Sequence, residues 1–221
     1  MAQENQSGYE LWAVWATKCW KCGKSVKVAI DTDGCSFNPF DHYEEPWKGA
    51  GDNEDILKSF GVNRELRYSK TAGTTYMANV CPYCGALQGD WFIRDELLEI
   101  AYTQPKEFKL ILIKNGSVFD VLSTIEEFKD KYWKFFLYRS LETLGRCEVC
   151  GCYISFYPEM FEEYKKYPEA REILEKYGEI RKLVRHHISY KEDKTINVCS
   201  NCHVKIHQSG NSEYIKFRPK D

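Results

Sequence analysis

The sequence contains no apolar run approaching the roughly 18 residues that a membrane-spanning helix needs. Its opening residues, Met1 to Ser7, are polar and lack both the basic start and the apolar core of a secretory signal. Internal repeats and low-complexity tracts are also missing. Together these absences argue against membrane, secreted and fibrous classes and lead to the expectation of a cytoplasmic protein. Strong charge of either sign is absent too, with a net charge of −2. Hydrophobic residues make up 43% and charged residues 29%, which fits a folded chain rather than a disordered one. A length of 221 residues suits one large domain or two small ones.

The charge is unevenly spread. Residues 1–100 carry −5, residues 101–130 carry −1 and residues 131–221 carry +4. A nucleic-acid partner is therefore favoured by the C-terminal part.

Cysteine is plentiful but not scattered as in disulfide frameworks. Eight of the ten cysteines form Cys-x-x-Cys pairs: Cys19/Cys22, Cys81/Cys84, Cys147/Cys150 and Cys199/Cys202. Two thiolates on one tight turn reach a single zinc ion at about 2.3 Å, so four pairs point to two structural zinc sites. Gly23, Gly85 and Gly151 follow three of the pairs and supply the positive φ such a turn needs. The fourth pair runs into His203 instead. Pairing in chain order joins the first knuckle to the second and the third to the fourth, and crossed pairing would entangle the two halves. Cys35 and Cys152 are left as ordinary thiols.

Strands are expected at 26–30, 74–80, 89–93, 108–113, 117–122 and 195–198, and a long loop over 31–75 with a short helix at 54–60. Asn115-Gly116 predicts a hairpin. Ser123 to Glu127 predicts a capped helix that runs to about Thr143. Helical segments follow at 95–102 and 158–177. Trp12, Trp15, Trp20, Trp47 and Trp91 surround the first knuckles and are expected to form the thin core of a small zinc domain. Stacking of these rings on bases is the alternative use.

Four of the five histidines lie within residues 186–207. His186 and His187 are adjacent on an expected strand, whose successive side chains point to opposite sides, so the two cannot share one task. His203 and His207 stand four apart, on one face of a helix expected to start at Ser200 as N-cap and to stop near Gly210. His42 stands alone in the loop.

This arrangement, Leu-Val-Arg-His-His-Ile followed by Val-Cys-Ser-Asn-Cys-His-Val-Lys-Ile-His, resembles the ββα-metal module of HNH endonucleases in their zinc-braced branch. The resemblance covers about 60 to 75 residues from near Cys147. It implies that His186, His203 and His207 bind a catalytic divalent ion (Mg²⁺, Mn²⁺, Ni²⁺ or Zn²⁺) and that His187 is the general base. It further implies that Cys147, Cys150, Cys199 and Cys202 brace the module with zinc. Three positions depart from the family pattern. Lys194 stands where the family has its central Asn, leaving Asn197 to orient the loop. Arg185 precedes the histidine pair, and a helical segment separates the third knuckle from it.

The expected whole is an α+β protein in two parts. A zinc-ribbon-like domain with a long inserted loop spans 1–104. A hairpin and helix leading into the nuclease domain span 105–221. The expected activity is metal-dependent hydrolysis of DNA phosphodiester bonds, with RNA kept open as substrate. A non-catalytic zinc-binding adaptor for nucleic acid is the runner-up, and a protein-interaction scaffold comes third.

Overall fold

The computed structural model describes residues 9–32, 37, 53–101, 103–208, 210 and 212–219. Cys35, His42 and Trp47 lie outside these residues. The chain is a mixed α+β protein that divides into two compact units, Met1–Tyr132 and Trp133–Asp221.

The first unit is built on a sheet of order β2-β1-β6-β7, from β1 (Tyr9–Lys18), β2 (Ser25–Asp31), β6 (Lys109–Lys114) and β7 (Ser117–Leu122). All neighbours in it are antiparallel. The two central strands carry unbroken buried runs, Leu11 to Trp15 and Leu110 to Ile113. Such runs follow when both faces of a strand are covered. β2, at one edge, keeps the alternation expected of it, with Val26 and Val28 buried and Lys27 exposed. α1 (Glu54–Ser59) covers one face, where Leu57 packs with Trp12, Val14, Ala29, Val62, Ile111 and Ile113.

A three-stranded sheet follows, ordered β3 (Arg64–Ser69), β4 (Thr74–Val80) and β5 (Leu87–Gln88). The long loop expected over 31–75 therefore contains a strand. The buried Asn79 side chain joins this sheet to β2: its Oδ1 accepts from Ala29 N at 2.8 Å and its Nδ2 donates to Ala29 O at 2.9 Å. The strand expected at 89–93 is instead the start of α2 (Asp90–Ile100). Its apolar residues follow helical rather than alternating spacing. Ile93 and Leu97, four apart, are buried, and Trp91 and Phe92 are exposed.

The β6–β7 hairpin turns at Asn115 and Gly116, whose φ values of 52° and 70° are those of a two-residue type I′ turn. α3 (Ile125–Glu142) starts with a reciprocal cap. Thr124 Oγ1 accepts from Glu127 N at 2.9 Å, and Glu127 Oε2 accepts from Ser123 N at 2.8 Å. The hairpin pairs with β1 across the sheet, so it belongs to the first unit. The division accordingly falls at Tyr132/Trp133, where Tyr132 interrupts α3 with non-helical φ −111° and ψ 20°, rather than near residue 104.

The second unit holds a sheet of order β11-β10-β9-β8, from β8 (Gly145–Arg146), β9 (Tyr153–Ser155), β10 (Arg181–Ser189) and β11 (Lys194–Cys199). β9 and β10 are parallel. A parallel pair needs a crossover, and the helical segment between them supplies it. It consists of α4 (Glu159–Tyr164) and α5 (Pro168–Glu175), broken where Tyr167 is extended ahead of Pro168. Phe161, Ala170 and Leu174 pack with Leu137 and Leu141 of α3. β10 and β11 form an antiparallel hairpin, followed by α6 (Ser200–His207) and a 3₁₀ turn (Ser212–Phe217). Among the described residues, no helix is long and apolar enough to cross a membrane.

Candidate metal centres

Each of the first three knuckles is the tight turn of a β-hairpin, closed in the same way. In the first, Gly23 N donates to Cys19 O and Cys19 N to Lys24 O; Cys81 with Gly85 and Ala86, and Cys147 with Gly151 and Cys152, repeat the pattern. The three glycines have φ of 70°, 68° and 74°, so a side chain there is strained by backbone conformation, although space is open. The fourth knuckle is built differently. Cys199 ends β11 and caps α6, its Sγ accepting from Cys202 N at 3.4 Å. The N-cap is thus Cys199 and not Ser200. At the other end Gln208 is the cap residue, and Gly210, with φ 95°, lies two residues further on.

These turns bring the sulfurs together in two groups that could hold a metal ion, Cys19/Cys22/Cys81/Cys84 and Cys147/Cys150/Cys199/Cys202. Pairing in chain order is the one observed. Sγ atoms of Cys19 and Cys84, and of Cys22 and Cys81, are 3.7 Å apart. Such crowding makes the thiols titrate unequally. Burial opposes ionisation of Cys19, but the N–H groups of Cys22 and Lys21 and two neighbouring sulfurs overcome it and bring the thiol down to about 6. The Ala86 N–H favours the Cys84 thiolate, yet burial and the other three sulfurs push that thiol up to about 12. The second group splits likewise. Cys150 falls to about 6, as N–H and S–H donors outweigh burial, and Cys202 is pushed up by burial and by its sulfur neighbours. Four thiolates cannot coexist at this spacing without a cation, so the donor set suits zinc. Cys152 is not remote from this chemistry: its Sγ is 3.4 Å from that of Cys150.

The third group is His186, His203 and His207, with a ring nitrogen from each within 4.8 Å of the others. Ring centroids are 5.3, 5.0 and 4.8 Å apart. His186 is 3% exposed on β10, while His203 and His207 rise from successive turns of α6. The buried imidazole is held from behind, its Nε2 2.9 Å from the carbonyl of Phe217. Donation from Nε2–H to that oxygen fixes the tautomer and leaves Nδ1 as the ligand atom, the orientation that supporting partners of metal-binding histidines usually impose. Burial, with the nearby His207 and His186 charges, lowers the His203 pKa below its ordinary value and favours the neutral, ligating form. Three neutral imidazoles suit Zn, Ni, Co or Mn.

His187 sits apart from this group, as strand alternation requires. It is half-exposed, stacks on Tyr190 with centroids 5.1 Å apart, and places Nε2 3.3 Å from Asp193 Oδ1. Asn197 lies opposite Arg185 in the β10–β11 register. Its backbone N donates to Glu148 Oε1 at 2.7 Å and its carbonyl accepts from Glu148 N at 3.0 Å, which ties the third knuckle to β11. The exposed Arg185 points its guanidinium toward the Phe156 ring, 6.0 Å from its centroid.

Four contributors went unseen in the sequence: Asp193, Glu148, the Phe217 carbonyl and Arg218. Arg218 donates from Nε to Ile206 O at 2.8 Å and from its terminal nitrogen to Gln208 O, fastening the segment after α6 to that helix.

Comparison with family models gives no match. Nor does any curated protein or solved structure match the chain.

Proposed function

We propose that the protein is a metal-dependent endonuclease of the HNH kind, hydrolysing DNA phosphodiester bonds, with structural zinc in both Cys₄ groups. One observation carries the reading: His186, His203 and His207 converge on the hairpin and helix that the Cys147/Cys150/Cys199/Cys202 group braces. Three imidazoles, one oriented by a buried carbonyl contact, are more than packing requires.

A divalent ion held there would neutralise the phosphate and the developing 3′-oxyanion. The rest falls to the chain. His187, directing Nε2–H toward Asp193, keeps Nδ1 free to take a proton from water. The water oxygen forms its bond to phosphorus as the bond from phosphorus to the 3′-oxygen breaks. Asp193 holds the ring in the tautomer this requires.

A non-catalytic nucleic-acid adaptor is the second reading, favoured by the turn itself. The exposed Lys194 occupies the position of the family's central Asn. Plasmid cleavage with added Mg²⁺, Mn²⁺, Ni²⁺ or Zn²⁺ separates the two. The expected result is nicking or linearisation by wild type and a loss of about a hundred- to ten-thousandfold in His187→Ala, with DNA binding retained. Inactivity of wild type with every metal, on duplex DNA, single-stranded DNA and RNA, would overturn the nuclease reading.

A further inference from the structure

The first unit carries a set of aromatic rings that its core does not use. Trp12 and Trp15 are buried as expected, but Trp20 is 72%, Tyr83 60%, Trp91 79% and Phe92 81% exposed. These four rings come from neighbouring places. Trp20 lies inside the first knuckle, and its Nε1 donates to Leu87 O of β5 at 2.8 Å. Tyr83 lies inside the second knuckle, with Lys24 Nζ 4.6 Å from its ring centroid. Trp91 and Phe92 open α2 just after β5, and Phe92 lies beside Gly89. The metal-binding turns and the helix start thus hold four large rings in water. Leaving that much apolar area exposed is costly in a protein that binds nothing there.

The charge within the two knuckle segments has one sign. Residues 11–30 contain Lys18, Lys21, Lys24 and Lys27 and no acid, and residues 74–89 contain no charge. All four lysines are exposed. Even against the two negative charges left on a zinc ion by four thiolates, these lysines leave a positive balance. Acids return with α2, at Asp90 beside Trp91 and then at Asp95, Glu96 and Glu99, with Arg94 among them.

We propose that this aromatic and basic surface binds single-stranded nucleic acid, separately from the histidine site. Exposed rings stack on unpaired bases, whereas the bases of a duplex are already stacked on each other. Lysines meet the phosphates between them. The mixture of rings and cations, rather than rings alone, favours nucleic acid over an apolar protein partner. This surface would give the nuclease a second substrate contact, and the choice of DNA as its ligand rests on the nuclease reading. Strand binding is measured without cleavage.

The test uses the full-length protein and fluorescein-labelled oligothymidylate of 20 nucleotides, a matching oligouridylate and a 20-base-pair duplex, without added divalent metal. The expected result is salt-sensitive binding of the single strand at least tenfold tighter than of the duplex. The Trp20→Ala/Trp91→Ala/Phe92→Ala variant is expected to bind it at least tenfold more weakly at unchanged melting temperature. Trp20→Phe, which keeps a ring and loses the bond to Leu87, retains most of the affinity. A difference between the DNA and RNA strands identifies the preferred sugar. Equal binding of duplex and single strand, or wild-type affinity in the triple variant, refutes the proposal. Neither result bears on plasmid cleavage, so the two readings fail separately.

Discussion

Replacing Cys199 by Ser separates metal from cap. Cys199 is both a member of the second Cys₄ group and the N-cap of α6. Serine is a preferred N-cap, so the substitution preserves the cap and removes a zinc ligand. The buried core around it consists of Cys147, Ile154, Val198, Cys199, Cys202 and Ile206, half of them ligands. Burial of the three aliphatic side chains contributes about 5–9 kcal/mol, at about 1.5–3 kcal/mol each, before any conformational entropy is charged against it. A structural zinc contributes roughly 10–16 kcal/mol at neutral pH. The metal thus outweighs the burial of these three side chains, and its loss is comparable to the whole stability of a domain, about 5–15 kcal/mol. Cys199→Ser is therefore expected to lose at least one equivalent of zinc after passage over chelating resin. It should also become protease-sensitive between residues 147 and 207 and lose metal binding at the histidines. The Cys19/Cys22/Cys81/Cys84 group should keep its zinc. A Cys199→Ser protein with wild-type zinc content and an unchanged melting temperature would show that packing, not metal, holds the second unit together.

Two further outcomes follow from the histidine cluster. Arg218→Ala releases the segment whose Phe217 carbonyl orients His186 and should weaken metal binding at the histidines about 10–100-fold, the usual cost of losing an outer partner. Calorimetry with Mn²⁺ or Ni²⁺ checks it, and unchanged affinity would assign Arg218 no part in the site. The second concerns pH. The folded state holds His203 below its ordinary pKa, so it binds fewer protons than the unfolded chain. Its contribution to stability is present above about pH 6.5 and is lost as pH falls through the lowered value. Metal affinity should fall in the same direction, by at least about tenfold between pH 7.5 and 5.5, because protons compete for imidazole. Affinity independent of pH in this range would mean that the ion is not held by imidazoles.

The sequence was informative wherever residue type and spacing carry the chemistry. The knuckle pairs, their order of pairing and the gathering of His186, His203 and His207 all rest on ligand type and period. It was misleading where two periods compete: Trp91, Phe92 and Ile93 read as a strand until Leu97 is counted four residues after Ile93. It was silent where the backbone acts, since any residue at 217 presents a carbonyl to His186. The same holds for the hairpin of β6 and β7. Its turn is local and readable, but its pairing with a strand about a hundred residues earlier leaves no mark nearby.

Asn79 carries a consequence for solubility. An open strand edge is a template for pairing with another chain. By giving both an acceptor and a donor to Ala29, this amide acts as one rung of a neighbouring strand, and the bridge between Lys27 and Val62 adds another. The β2 edge of the sheet is thereby closed to a second copy. The opposite edge is β7, with Val118, Phe119 and Val121 partly in water and Asp120, ion-paired to Lys131, among them. Among the described residues, self-association of the first unit through its main sheet would therefore run along β7, with the Asp120 carboxylate set in its way.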